Sequence, residues 1–253
     1  MKQNTLRSFH FFALYFCRFL LMTMKKLASL NGYEKFIIAF IIVLIIIGDV
    51  GAFINVHWYE TAYAEEDGFI EWLTTVPLFI ATVVAIGYLV KLSAKRSWLF
   101  ILTVSFIALF AFFAGGEEIS WGQRIFHIQT PEYFKEHNAQ DEMNLHNLVL
   151  SDGEKVNKLI FSQLLSILIG IYLVLLPILY IKIPNVKKFI DWAGVPVARL
   201  YQIILAAAVF LLDNICPSPK APEMLEFGIC FTFLLIVLYP LNRYVFRKDG
   251  IPN

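Results

Sequence analysis

The chain has 253 residues, 58% of them hydrophobic and only 16% charged, against about 25% charged in ordinary soluble domains. That composition excludes a soluble globular domain, a disordered tail and a nucleic-acid binder, and predicts an all-α, polytopic membrane helix bundle. The formal net charge of +1 hides a strong asymmetry along the chain.

The N-terminal arm, residues 1–35, opens with an apolar stretch from Phe9 to Met22 that carries His10 and Arg18. It is too short for a comfortable span and lacks a small-residue cleavage site, so it does not read as a secretory signal. Two readings stay open for residues 1–23. Either the stretch lies in the membrane interface as an amphipathic helix, or the chain proper starts at Met22 or Met24, with Lys25 and Lys26 just ahead of the first span.

Six apolar runs follow within a membrane domain of residues 36–245: Phe36–Ile54, Phe69–Val90, Trp98–Gly115, Leu159–Ile181, Val195–Asn214 and Leu225–Asn242. The runs are continuous rather than alternating, which predicts six transmembrane helices and not barrel strands. Residues 246–253 form a short tail. Sixteen of the 21 lysines and arginines fall in the N-terminal arm, in the turns after the second and fourth runs, and in the tail. The positive-inside rule then puts both termini in the cytoplasm of a bacterial inner membrane. Seventeen of the 20 acids, and His57, His127, His137 and His146, fall on the other, outer side.

Several of those acids lie in or beside the spans. Asp49, in Ile47-Gly48-Asp49-Val50-Gly51, sits about 8 Å of helix short of the outer end of the first run. An Asp at a span centre costs about 2.5–3.5 kcal/mol and less near an interface, so Asp49 is expected to face the bundle or a wet cavity. Glu71 opens the second span, Glu117 and Glu118 close the third, Asp213 closes the fifth and Glu226 opens the sixth. Glu71 and Glu226 suit helix N-termini. Glu117 and Glu118 sit at a C-terminus, where the dipole disfavours anions, which calls for a cation, an arginine or an altered protonation state.

The long outer loop between helices 3 and 4, residues 116–158, is the richest segment. If the third helix runs on, Glu117, Trp121 and Arg124 share one face. Thr130-Pro131-Glu132 reads as the N-cap and first turn of a short helix. Glu142 and His146 stand four apart, so a helix there would let both reach one metal ion. Ser151 and Glu154 form a capping box ahead of the fourth span. The three cysteines, Cys17, Cys216 and Cys230, show neither a disulfide framework nor a thiolate metal pattern.

The combination Glu66-Asp67-Gly68-Phe69-Ile70-Glu71-Trp72-Leu73-Thr74, Gly116-Glu117-Glu118-Ile119-Ser120-Trp121-Gly122-Gln123-Arg124 and Asn144-Leu145-His146-Asn147 resembles an uncharacterised family of bacterial multi-pass membrane proteins over about residues 36–245. The resemblance implies membership and carries no activity. Known signatures are missing. There is no HExxH, no GxSxG and no Gly-rich phosphate loop, and Gly122 stands where the EExxxR of CAAX-type proteases needs its arginine.

The leading expectation is a polar site at the outer membrane face of a metal-dependent hydrolase or transferase acting on a lipid-linked or envelope substrate. Glu142, His146 and His127 would ligate a divalent metal such as Zn, Glu117 or Glu118 would act as base, and Arg124 would grip an anionic group. Trp121, Gln123, Asn144, Asn147, Asp49 and Glu71 would line the substrate site. Two alternatives stay open: an ion-coupled transporter using Asp49, Glu71, Asp213 and Glu226, and a non-catalytic sensor or assembly subunit whose outer loop is a sealing cap. The partners are the bilayer and a lipid-linked substrate, not nucleic acid.

Overall fold

Apolar runs of this length form helices because a helix satisfies its own backbone polar groups where water is absent. The computed structural model describes residues 29–65, 68–145, 147–149 and 164–250, and its contacts divide the chain into residues 1–40 and 41–253. In the first unit the described residues carry the start of helix α1 (Gly32–Ile54). Asn31 and Glu34 cap it reciprocally: the Glu34 amide donates to Asn31 Oδ1 at 2.9 Å, and the Asn31 amide to Glu34 Oε2 at 3.1 Å. The Phe9–Met22 stretch and the question of where the chain starts lie outside the described residues.

The second unit holds the rest of α1, then α2 (Phe69–Leu92), α3 (Trp98–Glu118), the short α4 (Glu132–His137), α5 (Leu165–Lys182), α6 (Pro184–Ala193), α7 (Leu200–Asp213) and α8 (Ala221–Leu238). No strand occurs among the described residues beyond one isolated bridge between Asn138 and Leu148. Among the described residues five helices are long and apolar enough to cross a membrane: α1, α2 with its 3₁₀ extension to Lys95, α3, α5 and α8. The chain is therefore all-helical and multi-pass in character. Its lipid-type faces are turned outward, as Val83 (69% exposed), Phe106 (66%) and Leu109 (68%) show.

The core forms where small residues let helices approach. Ala81, Ala85, Ala108 and Ala111 are buried, and they lie in the clusters that α2 and α3 share. Gly228 of α8 faces Val209 of α7 so closely that a Cβ would stand 2.5 Å from Val209 Cγ1.

The fifth apolar run departs from expectation. Its helix spans only 14 residues, about 21 Å, because Val195–Arg199 is not helical. Pro196 has no N–H to give a helix. The freed backbone is satisfied instead by two fully buried amides. Asn242 Oδ1 accepts from the Val197 amide at 3.1 Å, and Asn242 Nδ2 donates to Val195 O at 2.9 Å. Gln202 Nε2 donates to Leu235 O at 2.9 Å and to Tyr239 O at 3.2 Å, where α8 ends. Such unwound backbone is tolerated at membrane depth only where protein covers it, as here.

Helix α6 was not anticipated as an element. It is amphipathic and ends in a left-handed Gly194 (φ 69°), whose amide bonds to Asp191 O. Trp192 stacks edge-on against Trp98 at 6.1 Å, beside Lys187 and Lys188. Aromatic rings next to lysines are what a membrane interface favours. The lysine-rich turns thus gather at one end of the second unit, with Asp191 and Asp249, and Asp49, Glu71, Glu118, Asp213 and Glu226 lie toward the other.

Candidate functional site

The acid-bearing end has two parts, a cap and a row of carboxylates beneath it. The cap begins where α3 stops. Ser120 (φ 46°), Trp121 (φ 55°) and Gly122 (φ 77°) are consecutively left-handed and reverse the chain. That conformation costs about 1–2 kcal/mol for each non-glycine residue, so neighbouring contacts must hold it. Trp121 Nε1 donates back to Glu117 Oε1 at 2.7 Å, and its ring packs on Phe112 and Phe113. Gly116 makes room: a Cβ there would lie 2.8 Å from the ring. The other Glu117 oxygen accepts from the Leu145 amide at 2.6 Å. The helix therefore does not run on through Arg124, the condition under which Glu117, Trp121 and Arg124 would share one face. The Glu117–Trp121 pair survives, but Arg124 turns away to Glu142.

Glu142 is buried and its carboxylate receives three groups of the cap. Arg124 pairs with one oxygen, while Ser120 Oγ and Asn144 Nδ2 donate to the other at 2.8 and 2.9 Å. Its own amide donates to Asn138 Oδ1 at 3.3 Å. Around it Asn138 Nδ2 donates to Asn144 O at 2.9 Å, and Asn144 Nδ2 also reaches Ser120 Oγ at 3.0 Å. Gln123 accepts from the Met143 amide at 2.7 Å and donates to Thr130 Oγ1 at 2.6 Å, which in turn donates to Asp141 O at 2.7 Å. Asn147 donates through its side chain to Gln140, and its amide to Asn144 Oδ1 at 3.1 Å. Thr130 is thus a crosslink and not an N-cap. Pro131 holds the N-cap position of α4, with no side-chain bond.

Among the described residues the metal constellation is not assembled. Residues 138–145 form turns and not the helix on which the Glu142–His146 spacing relied. His146 and the Ser151–Glu154 capping box lie outside the described residues. His127 is exposed on a left-handed turn. Among the described residues no three His, Cys, Asp or Glu side chains converge to hold a metal ion. The physical reason at Glu142 is that its oxygens already take a guanidinium, a hydroxyl and an amide.

Beneath the cap the acids of separate helices come together. Glu118 of α3 feels the charges of Glu226, Glu71, Glu223 and Glu117, all carboxylates. Glu226 of α8 feels Glu71 of α2 and Asp213 of α7. Asp49 of α1 feels Asp213 and lies beside the Cys216 thiol. The result is a row, Glu118–Glu71–Glu226–Asp213–Asp49, drawn from five helices. Asp49 is only 7% exposed. Its Oδ2, and Oδ1 of Asp213, are buried without a hydrogen-bond partner. Orphaned buried carboxylate oxygens are rare and mark an ion, a water or a functional role.

The wall beside Asp49 is built by a fold-back after α1. Asn55 caps a one-turn helix (Val56–Trp58) that runs into a π turn (Tyr59–Tyr63). Gly48 and Gly51 allow this approach. A Cβ on Gly48 would lie 2.7 Å from the Tyr63 ring, and one on Gly51 would lie 2.2 Å from Trp58. Tyr63 is anchored by donation to Leu44 O at 2.7 Å, and Ser218 ties Glu60 at 2.9 Å. Burial, and then the Asp49 charge, push the Tyr63 hydroxyl up to about 12. Burial pushes the Cys216 thiol up, and the Asp49 charge adds to this. The Tyr59 hydroxyl, also raised by burial, lies beside Cys216. Sequence reasoning did not single out Tyr59, Tyr63, Cys216 or Glu223. The Asp213-x-x-Cys216 spacing was the available signal.

Comparison with protein families, with curated proteins and with solved structures gives no match.

Proposed function

We propose that this is a multi-pass protein of the bacterial inner membrane, with both termini inside, that binds a small monovalent cation (a sodium ion or a proton) among its outer carboxylates as the coupling ion of a carrier. The observation that carries the reading is the pair of buried, unpartnered carboxylate oxygens on Asp49 and Asp213, within a row of acids from five helices. An isolated buried carboxylate is costly by several kcal/mol, and a positive charge beside it removes the cost.

A further feature favours a carrier over a hydrolase: Glu117 and Glu142, which the hydrolase reading needs as base and ligand, are bonded into the cap, which leaves Glu118 as its one candidate base. The orientation rests on the lysine and arginine distribution. Residues 195–199, extended at about 3.3 Å each, add about 16 Å to the 21 Å of α7 and make a sixth crossing, which returns the C-terminus to the side of the N-terminus.

The experiment is cation flux into proteoliposomes. Wild-type protein is expected to carry a cation-dependent flux that Asp49→Asn abolishes while the variant still folds. Flux of Asp49→Asn equal to wild type would sink the carrier reading.

A further inference from the structure

At the lysine-bearing end, a half-open groove of about 410 Å³ runs between α2 and the C-terminal segment. Its walls are Val83, Val84, Gly87 and Phe246, and its mouth carries Lys91 and Lys248. We infer that this groove binds one acidic phospholipid, its phosphate between Lys91 and Lys248 and an acyl chain along Val83, Val84 and Gly87. This inference is independent of the cation reading.

The groove has the polarity of a lipid. From Val83 to Lys91 the wall extends about 12 Å along α2, apolar through the span and cationic only in the last turn. Gly87 gives it depth, since a Cβ there would meet nothing within 4 Å. The opposite wall is rigid. Phe246 is buried against Tyr88 and Phe100, at 5.0 and 5.8 Å between ring centroids. Arg96 fixes the backbone that presents Lys248 by donating to Val245 O at 2.9 Å and to Arg247 O at 2.8 Å. Both lysines are exposed, and among the described residues neither has an ion-pair or hydrogen-bond partner. Asp249 adjoins Lys248 but does not line the groove, and Arg247 on the other side offsets it. Two unpaired lysines over an apolar slot complement an anionic headgroup with its chain, and do not complement a neutral lipid.

The test uses purified full-length protein in mixed micelles, with bound lipid counted by native mass spectrometry. The additions are phosphatidylglycerol, phosphatidylcholine or inorganic phosphate. One phosphatidylglycerol is expected to be retained, and phosphatidylcholine is not. Lys91→Gln and Lys248→Gln should each weaken retention about fivefold. Lys188→Gln, on α6, should not. Gly87→Leu fills the slot without a clash and should displace the lipid even if the lysine variants fold poorly. Equal retention of the two lipids, unchanged retention in Gly87→Leu, or competition by millimolar inorganic phosphate alone would each overturn the inference. The last outcome would mean a simple anion site.

Discussion

Arg124 pairs with Glu142 across the cap, the guanidinium half-exposed and the carboxylate almost wholly buried. The asymmetry sets different costs for losing either partner. Glu142→Ala removes the buried acceptor that Arg124, Ser120 and Asn144 share, and is expected to destabilise the cap by about 3 kcal/mol. Arg124→Ala leaves Glu142 two donors and should cost about 1 kcal/mol. Thermal unfolding of the purified variants reads both. Equal losses would contradict the arrangement.

A second prediction concerns the reversal at Gly194. Its backbone is left-handed, and a Cβ would stand 2.2 Å from Phe100 Cδ2. Gly194→Ala should cost about 2–3 kcal/mol, combining the backbone penalty with overpacking of Phe100. Gly87→Ala, in open space, should be neutral or slightly stabilising by helix propensity. Melting temperatures of the two variants, measured side by side, check the contrast.

Asn242 makes a third. It alone satisfies the Val197 amide and reaches Val195 O, and it also donates to Asp191 Oδ1 at 3.2 Å. Asn242→Leu preserves volume but strands a buried donor, for an expected loss of about 2–3 kcal/mol. Faster proteolysis between α6 and α7 in the variant would confirm that the loss is local. Unchanged proteolysis there would count against it.

The Cys216 thiol supplies a fourth, with a definite sign. Burial and the Asp49 charge both raise its pKa, so its reactivity should climb at higher pH than that of an ordinary thiol. Asp49→Asn removes the charge and should speed alkylation several-fold at fixed pH. The measurement uses protein in which Cys17 and Cys230 are serine. A rate unaffected by Asp49→Asn would show that the two side chains are not neighbours.

Much of this was legible in the sequence, for identifiable reasons. Continuous apolar runs place four of the spanning helices, as well as most of a fifth whose first residues lie outside the description. The carboxylates of the row were visible as Asp49, Glu71, Glu118, Asp213 and Glu226, because a carboxylate inside or beside an apolar run has few structural excuses. What failed were local rules overridden by tertiary partners. Glu117, Trp121 and Arg124 look like one helix face, yet three left-handed residues reverse the chain, because Glu117 and the bare surface of Gly116 hold Trp121 in the reversed form. Glu142 looks like a metal ligand from spacing alone. Only folding shows that Ser120 and Arg124, 22 and 18 residues away, take its oxygens. The run Val195–Asn214 looks like one helix because hydropathy does not register Pro196 or the remote amide of Asn242.

The most direct measurement of the central claim is the melting temperature of the purified protein against sodium concentration at fixed pH, then against pH at fixed sodium, with choline keeping ionic strength constant. A cation at a hundredfold its dissociation constant stabilises by about 2.7 kcal/mol, or about 5–10 °C for a chain of this size. The account predicts a saturable rise in wild type with one of the two cations, lost in both Asp49→Asn and Asp213→Asn and kept in Glu132→Gln on the exposed α4. A melting temperature indifferent to both cations, or a rise that survives both aspartate substitutions, would contradict it.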